Sequence, residues 1–147
     1  MLNAKFKEAA RLFEEVMLYG TERVMKYVDS PLWREYSPEQ LQVLKILSTY
    51  GKATSGQIAQ IQGVHKSAIS SRMKKLAEKG LITVTRDEED RRSKWMALTD
   101  EGERILKRTN EAVLLQLEAL ILDKVDEREI DQFIHIFRKL KHILQLR

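Results

Sequence analysis

Ser67, Ser70, Ser71 and Lys74 recur at spacings that put three hydroxyls and an ammonium on one side of a helix, opposite a stripe of Ile69, Met73 and Leu76 with Ala77 beside it. Small hydrogen-bonding side chains on an exposed helix face suit one task in particular. A helix seated in a DNA major groove must come close to the base edges before Ser or Lys can reach them. Lys66, Arg72, Lys75 and Lys79 add positive charge around that face, and His65 at the helix start is placed for a DNA contact. Taken alone, such a helix also fits an ordinary solvated basic surface.

The next segment narrows the choice. Leu81-Ile82-Thr83-Val84-Thr85 and Lys94-Trp95-Met96-Ala97-Leu98 have the composition of strands, joined through a polar tip from Arg86 to Ser93. A turn needs no three arginines, whereas Arg86, Arg91 and Arg92 on a hairpin tip suit a minor groove, whose narrow stretches concentrate negative potential. Asp90 beside them is expected to hold an arginine by a charge-assisted hydrogen bond, and Asp87, Glu88 and Glu89 to be a solvated acidic turn. From Lys66 to Lys94 there are nine Lys/Arg against five Asp/Glu, while the whole chain carries 26 against 22. The net excess of +4 therefore sits entirely in this segment, as expected of a surface that displaces counterions from phosphate.

These side chains need elements to hold them. Thr54 and Gln57 stand at capping-box spacing and predict a short helix through Ile58, Ala59 and Ile61, ended by Gly63. Thr54, Ser55 and Gln57, at its start, are counted with the candidate DNA contacts. The basic helix then runs from about Val64 to Lys79, ended by Gly80. Upstream, Ser37-Pro38-Glu39-Gln40 opens another helix with a serine cap, proline at its first position and glutamine at capping-box spacing, and Leu41, Leu44, Ile46 and Leu47 give it a buried side. Downstream, Thr99 caps a long helix to about Leu122, with Asp100, Glu101 and Glu103 toward the positive end of its dipole.

In this order, helix, turn and basic helix close on Leu76-Ala77-Glu78-Lys79-Gly80-Leu81-Ile82, followed by Asp90-Arg91-Arg92 and Leu98-Thr99-Asp100-Glu101-Gly102. The pattern resembles the winged-helix core of the MarR family of bacterial transcriptional regulators. The motifs cover Ser37 to Gly102, and the helical flanks extend the resemblance to the whole chain. The resemblance implies a homodimer that binds a pseudo-palindromic operator, usually as a repressor, with affinity commonly altered by a small ligand or an oxidant. It implies base-reading positions at Ser67, Ala68, Ser70 and Ser71, and Arg92 as the wing residue in the minor groove. The identity of an effector does not carry over.

The flanks are read as dimerisation elements. Phe6, Ala9, Ala10, Phe13, Val16, Met17 and Val24 keep helical spacing to about Val28, where Asp29-Ser30-Pro31 breaks the chain. The last helix, Asp126 to about Leu146, carries Ile130, Phe133, Ile134, Phe137, Leu140 and Leu144 on one face and Ile136 and Ile143 on another. At ~25 cal/mol per Å² of apolar surface, leaving a second stripe in water is costly, so an intertwined dimer is the economical reading; a single broad face against its own chain is the alternative. Two equivalent reading helices about 34 Å apart would match one turn of duplex.

Composition removes several classes. There is no cysteine, which excludes disulfides, cysteine-based zinc sites and thiol redox sensing. The five methionines are read as packing. Charged residues run through the amino-terminal apolar positions, and no apolar stretch approaches about 18 residues, so the chain is expected to be cytoplasmic, without a membrane association. His65, His135 and His142 are scattered, with no catalytic order, phosphate loop or metal-ligand cluster around them, so neither an enzyme, a cofactor nor a metal is expected. Tyr19, Trp33, Tyr36 and Met17 could line a ligand cavity, with core packing the favoured role for each.

The sequence thus predicts a mainly α protein with a small β-hairpin wing. An N-terminal dimerisation helix and linker occupy residues 1–36, a winged helix-turn-helix 37–99, and C-terminal dimerisation helices 100–147. Its partners would be an operator duplex, a second copy and an effector of unknown identity, with Lys66, Arg72 and Lys74 holding phosphates or flanking bases. Two other readings stay open: a sequence-indifferent architectural DNA binder, and a winged-helix module that binds protein instead.

Overall fold

The computed structural model describes residues 3–28 and 31–146. In chain order its elements are α1 (Ala4–Glu15), a π-helical turn (Val16–Gly20), α2 (Thr21–Tyr27), α3 (Leu32–Glu35), α4 (Pro38–Tyr50), β1 (Lys52–Thr54), α5 (Ser55–Gln62), α6 (Lys66–Glu78), β2 (Ile82–Arg86), β3 (Lys94–Leu98), α7 (Asp100–Ile121) and α8 (Glu127–Ile143). They fall into two compact units, one spanning residues 31–110 and the other joining the chain before residue 31 to residues 111–146. Among the described residues no helix is long and apolar enough to cross a membrane.

The 31–110 unit holds the core. Leu41, Val43, Leu44, Ile46 and Leu47 of α4 pack with Ile58 of α5, Ile69, Met73 and Leu76 of α6, Met96 of β3, and Ile105 and Leu106 of α7. The caps form as their spacing predicts. Ser37 with Gln40 and Thr54 with Gln57 each make a reciprocal capping box, and Gly63 takes the left-handed conformation (φ 66°, ψ 35°) that ends α5. Beyond it the N–H of Val64 returns to the Ala59 carbonyl at 3.0 Å, which keeps Val64 in the turn. For this reason α6 starts at Lys66, two residues later than expected.

The wing is part of a three-stranded antiparallel sheet ordered β1-β3-β2, not a lone hairpin. Ala53 and Val84 flank Met96 from either side, and this face lies on the core. The opposite face carries Lys52, Thr54, Thr83, Thr85 and Trp95. β2 begins one residue later than expected because Leu81 still serves the helix exit, its N–H bonded to the Leu76 carbonyl at 3.0 Å.

Thr99 caps α7 as expected: its hydroxyl accepts the Gly102 N–H at 3.1 Å and donates to the Gly80 carbonyl at 2.6 Å. A Cβ at Gly102 would overlap the Leu81 carbonyl oxygen, so the first turn of α7 lies against the backbone at the exit of α6. Glycine in that motif is a packing requirement.

In the other unit the expected continuous first helix is interrupted by the π turn at Val16–Gly20, which adds a residue to one turn and rotates the apolar stripe beyond it. Asp29 and Ser30 of the expected break lie outside the described residues, and Pro31 opens α3, a turn of helix that the sequence pattern did not signal. Asp126 and Glu129 make a third capping box at the start of α8, which ends at Ile143. Phe133 and Phe137 stack at 4.1 Å between ring centroids, and Phe13 of α1 approaches Phe137 at 6.2 Å. No described residue of α1, α2 or α8 is buried, and Phe133 remains 61% exposed. Of the two apolar stripes expected on the last helix, only Ile130 is half-buried and the other named residues are exposed. Of the four residues weighed for a cavity lining, Tyr36 is in the core and Trp33 packs against it with its indole N–H unpartnered. Tyr19 and Met17 are exposed, which corrects the packing role expected for them.

Candidate nucleic-acid interface

α6 presents His65, at its N-cap, and Lys66, Ser67, Ser70, Ser71, Lys74 and Lys75 to solvent, while Ala68 is half-buried. The separation is geometric: Ile69, Met73 and Leu76 occupy the core side at successive turns, which turns Ser70, Ser71, Lys74 and Lys75 outward. Ser70 donates its hydroxyl to the Lys66 carbonyl at 3.2 Å, whereas Ser71 makes no hydrogen bond with its side chain among the described residues. The free face is therefore one of small side chains, open to close approach by a backbone or base edge.

Two cations that the sequence assigned to this face are used inside the protein. Arg72 is half-buried and donates to Gln62 Oε1 at 2.5 Å; Gln62 in turn donates to the Glu39 carbonyl at 3.1 Å and to Gln42 Oε1 at 3.0 Å. This network ties α6 to α5 and α4, and makes Arg72 an anchor of α6. Lys79 donates to the Glu35 carbonyl at 2.9 Å and lies 4.4 Å over the Tyr36 ring, pinning the end of α6 to α3. Burial, followed by the nearby Glu35 charge, raises the Tyr36 phenol above its ordinary pKa.

The first turn of α5 is also less available than its composition suggests. Ser55 is 5% exposed, which withdraws its hydroxyl from any surface contact. Thr54 Oγ1 and Gln57 Oε1 are the acceptors of the capping box, at 3.2 and 2.9 Å, which fixes both side chains and commits one lone pair of each oxygen to the backbone.

At the wing, Arg86, Arg91 and Arg92 are exposed, and among the described residues neither they nor Lys66, Lys74 and Lys75 take part in an ion pair. Asp90 does not hold an arginine side chain. Its Oδ1 accepts the backbone N–H of Arg92 at 3.0 Å and its Oδ2 the Ser93 hydroxyl at 3.2 Å, so it shapes the turn that displays the arginines. Asp87 departs from the solvated role expected of it: it accepts the Glu89 N–H at 2.9 Å and the Trp95 indole N–H at 3.0 Å. The Glu89 bond, then that of Trp95, holds its carboxyl below the ordinary carboxylate pKa. Asp87, Trp95, Gln62 and Gln42 were not legible as site-shaping residues, because their roles depend on strand register and helix packing.

Comparison with known proteins agrees with this geometry. The MarR family profile matches residues 36–94. The chain is 42% identical over 143 residues to the HTH-type transcriptional regulator YdgG of Bacillus subtilis, covering 96% of this chain and 93% of that one. Among solved structures it resembles wild-type MarR from E. coli, with a TM-score of 0.76 at 18% identity over 95% of this chain and 97% of that one. It also resembles a mutant of S. aureus MepR bound to an oligodeoxyribonucleotide, with a TM-score of 0.61 at 20% identity over 90% and 97% of the two chains. The chain belongs to the MarR family: it is a winged-helix, DNA-binding transcriptional regulator.

Proposed function

We propose that this regulator acts in the cytoplasm as a homodimeric repressor on a pseudo-palindromic operator, with Ser67, Ala68, Ser70 and Ser71 reading bases, Lys66, Lys74 and Lys75 neutralising phosphates, and Arg91 and Arg92 entering the minor groove. The observation that carries this reading is a close-approach face of small side chains on α6, bordered by cations that have no ion-pair partner among the described residues. Cations left unpaired gain most by releasing counterions from a polyphosphate. The dimer is supported by α8, where Phe133, Ile136, Ile143 and Leu144 are all more than half exposed. An apolar surface of that extent marks a protein partner, and a second copy buries the same face twice. The structure of the MepR mutant with an oligodeoxyribonucleotide supports DNA as the ligand of this fold.

The test is a competition titration over a salt series between a selected operator and a random duplex. The operator should bind on the order of 10³-fold tighter near physiological salt. Equal affinities would favour a sequence-indifferent architectural protein, and absence of duplex binding at 100 mM salt a protein-interaction module.

A further inference from the structure

Trp95 stands on the central strand, opposite Thr54 of β1 and Thr85 of β2. Its diagonal neighbours on the same outward face are therefore Lys52 and the residue just past the end of β2, Asp87. The side chains use that adjacency. Lys52 Nζ lies 4.8 Å over the Trp95 ring, and the indole N–H donates to Asp87 Oδ2 at 3.0 Å. Asp87 Oδ1 is occupied by the Glu89 N–H, while the Asp87 N–H bonds the Ser93 carbonyl at 3.0 Å and closes the loop. From there the Ser93 N–H returns to the Asp90 carbonyl at 2.9 Å, and Asp90 holds the Arg92 N–H.

We propose that Lys52, Trp95 and Asp87 form a latch that fixes the wing tip on the strand leading into the helix-turn-helix, making them positioning residues for Arg91 and Arg92. This rests on the wing entering the minor groove. A solvent-facing hairpin has no need of a tryptophan clamped between a lysine and a carboxylate. A seven-residue tip carrying two arginines to a groove does, because an unordered tip loses its conformational freedom on binding and subtracts that from the affinity. The carboxylate is specific to the task, since each oxygen accepts from a different donor. An asparagine offers one acceptor and would set its own N–H against either Glu89 or Trp95.

The experiment is an operator titration of Trp95→Phe and Asp87→Asn, each also made in an Arg91→Ala, Arg92→Ala background, with the unfolding midpoint followed alongside. Phenylalanine keeps a six-membered ring for Lys52 and removes the indole donor together with the pyrrole ring that carries it. Both variants should bind about five- to tenfold more weakly. Asp87→Asn should do so although it removes a negative charge, and neither should weaken binding further once the arginines are gone. Wild-type affinity for Trp95→Phe, with the arginine variant weakened, overturns the latch alone. An undiminished loss in the arginine-free background also overturns it, since the effect would then not pass through the tip. Wild-type affinity for the arginine variant itself removes the wing from the DNA and the latch with it.

Discussion

The first turn of α7 crosses the exit of α6 so closely that Gly102 has no room for a side chain beside the Leu81 carbonyl oxygen. Thr99 reinforces the contact, its N–H bonding that same carbonyl at 3.1 Å while its hydroxyl holds the Gly80 carbonyl. The exit of α6, the start of β2 and the first turn of α7 thus meet at one backbone junction. Gly102→Ala must push this junction apart, and is expected to destabilise the fold by about 1–3 kcal/mol, read from the shift in urea midpoint at unchanged m-value. A wild-type midpoint would show that the junction gives way without cost.

Gln62 is the hub that orients α6, and Arg72 is expected to act through it. Gln62→Ala removes three hydrogen bonds, one of them to a charged donor, and should cost about 1–2 kcal/mol of stability. The slope of log affinity against log salt should stay unchanged, because no exposed cation is lost. Lys74→Ala should show the reverse, near wild-type stability and a slope smaller in magnitude by about one. A slope change of that size in Gln62→Ala would place Arg72 on phosphate instead.

Of the three serines on the exposed face of α6, Ser70 and Ser71 are not equivalent. Among the described residues the Ser71 hydroxyl has no partner, whereas Ser70 spends its hydrogen on the Lys66 carbonyl and must rotate before it can donate to a base. Ser71→Ala should therefore cost about 1–3 kcal/mol on the selected operator and little on a random duplex, with Ser70→Ala costing less on the same titration. Equal losses on both duplexes would mean that the hydroxyls do not read sequence.

What was legible in the chain was local. Ser37 with Gln40, Thr54 with Gln57 and Asp126 with Glu129 announce helix starts because both partners of each box lie three residues apart. The Ile69, Met73 and Leu76 stripe announces which side of α6 faces inward for the same reason. β1 was missed because three residues, Lys52 to Thr54, hold too little pattern, and the strand exists through its pairing with β3 over forty positions later. Asp87 and Asp90 show the same limit within the site: both acidic residues were visible, but which of them a backbone N–H or an indole would claim depends on register. Likewise Arg72 reads as a surface cation until the packing of three helices brings Gln62 to it. The π turn at Val16–Gly20 has no compositional mark at all.

The proposed dimer can be broken without touching the 31–110 unit. Phe133 and Phe137 stack on the exposed face of α8, so a glutamate at Phe133 puts a charge into any apolar contact made there while leaving the described core intact. Phe133→Glu should sediment as a monomer with native helicity and lose operator binding more than random-duplex binding. A wild-type chain that is itself monomeric at micromolar concentration would remove the dimer, and with it the symmetric operator.

Selecting bound sequences from a pool of random duplexes examines reading face, wing and symmetry together. An inverted repeat whose half-sites are centred about one helical turn apart, 10 to 10.5 base pairs, is the expected result. A pool that stays random after repeated selection, or that enriches a single unrepeated site, would contradict a dimer reading DNA through α6.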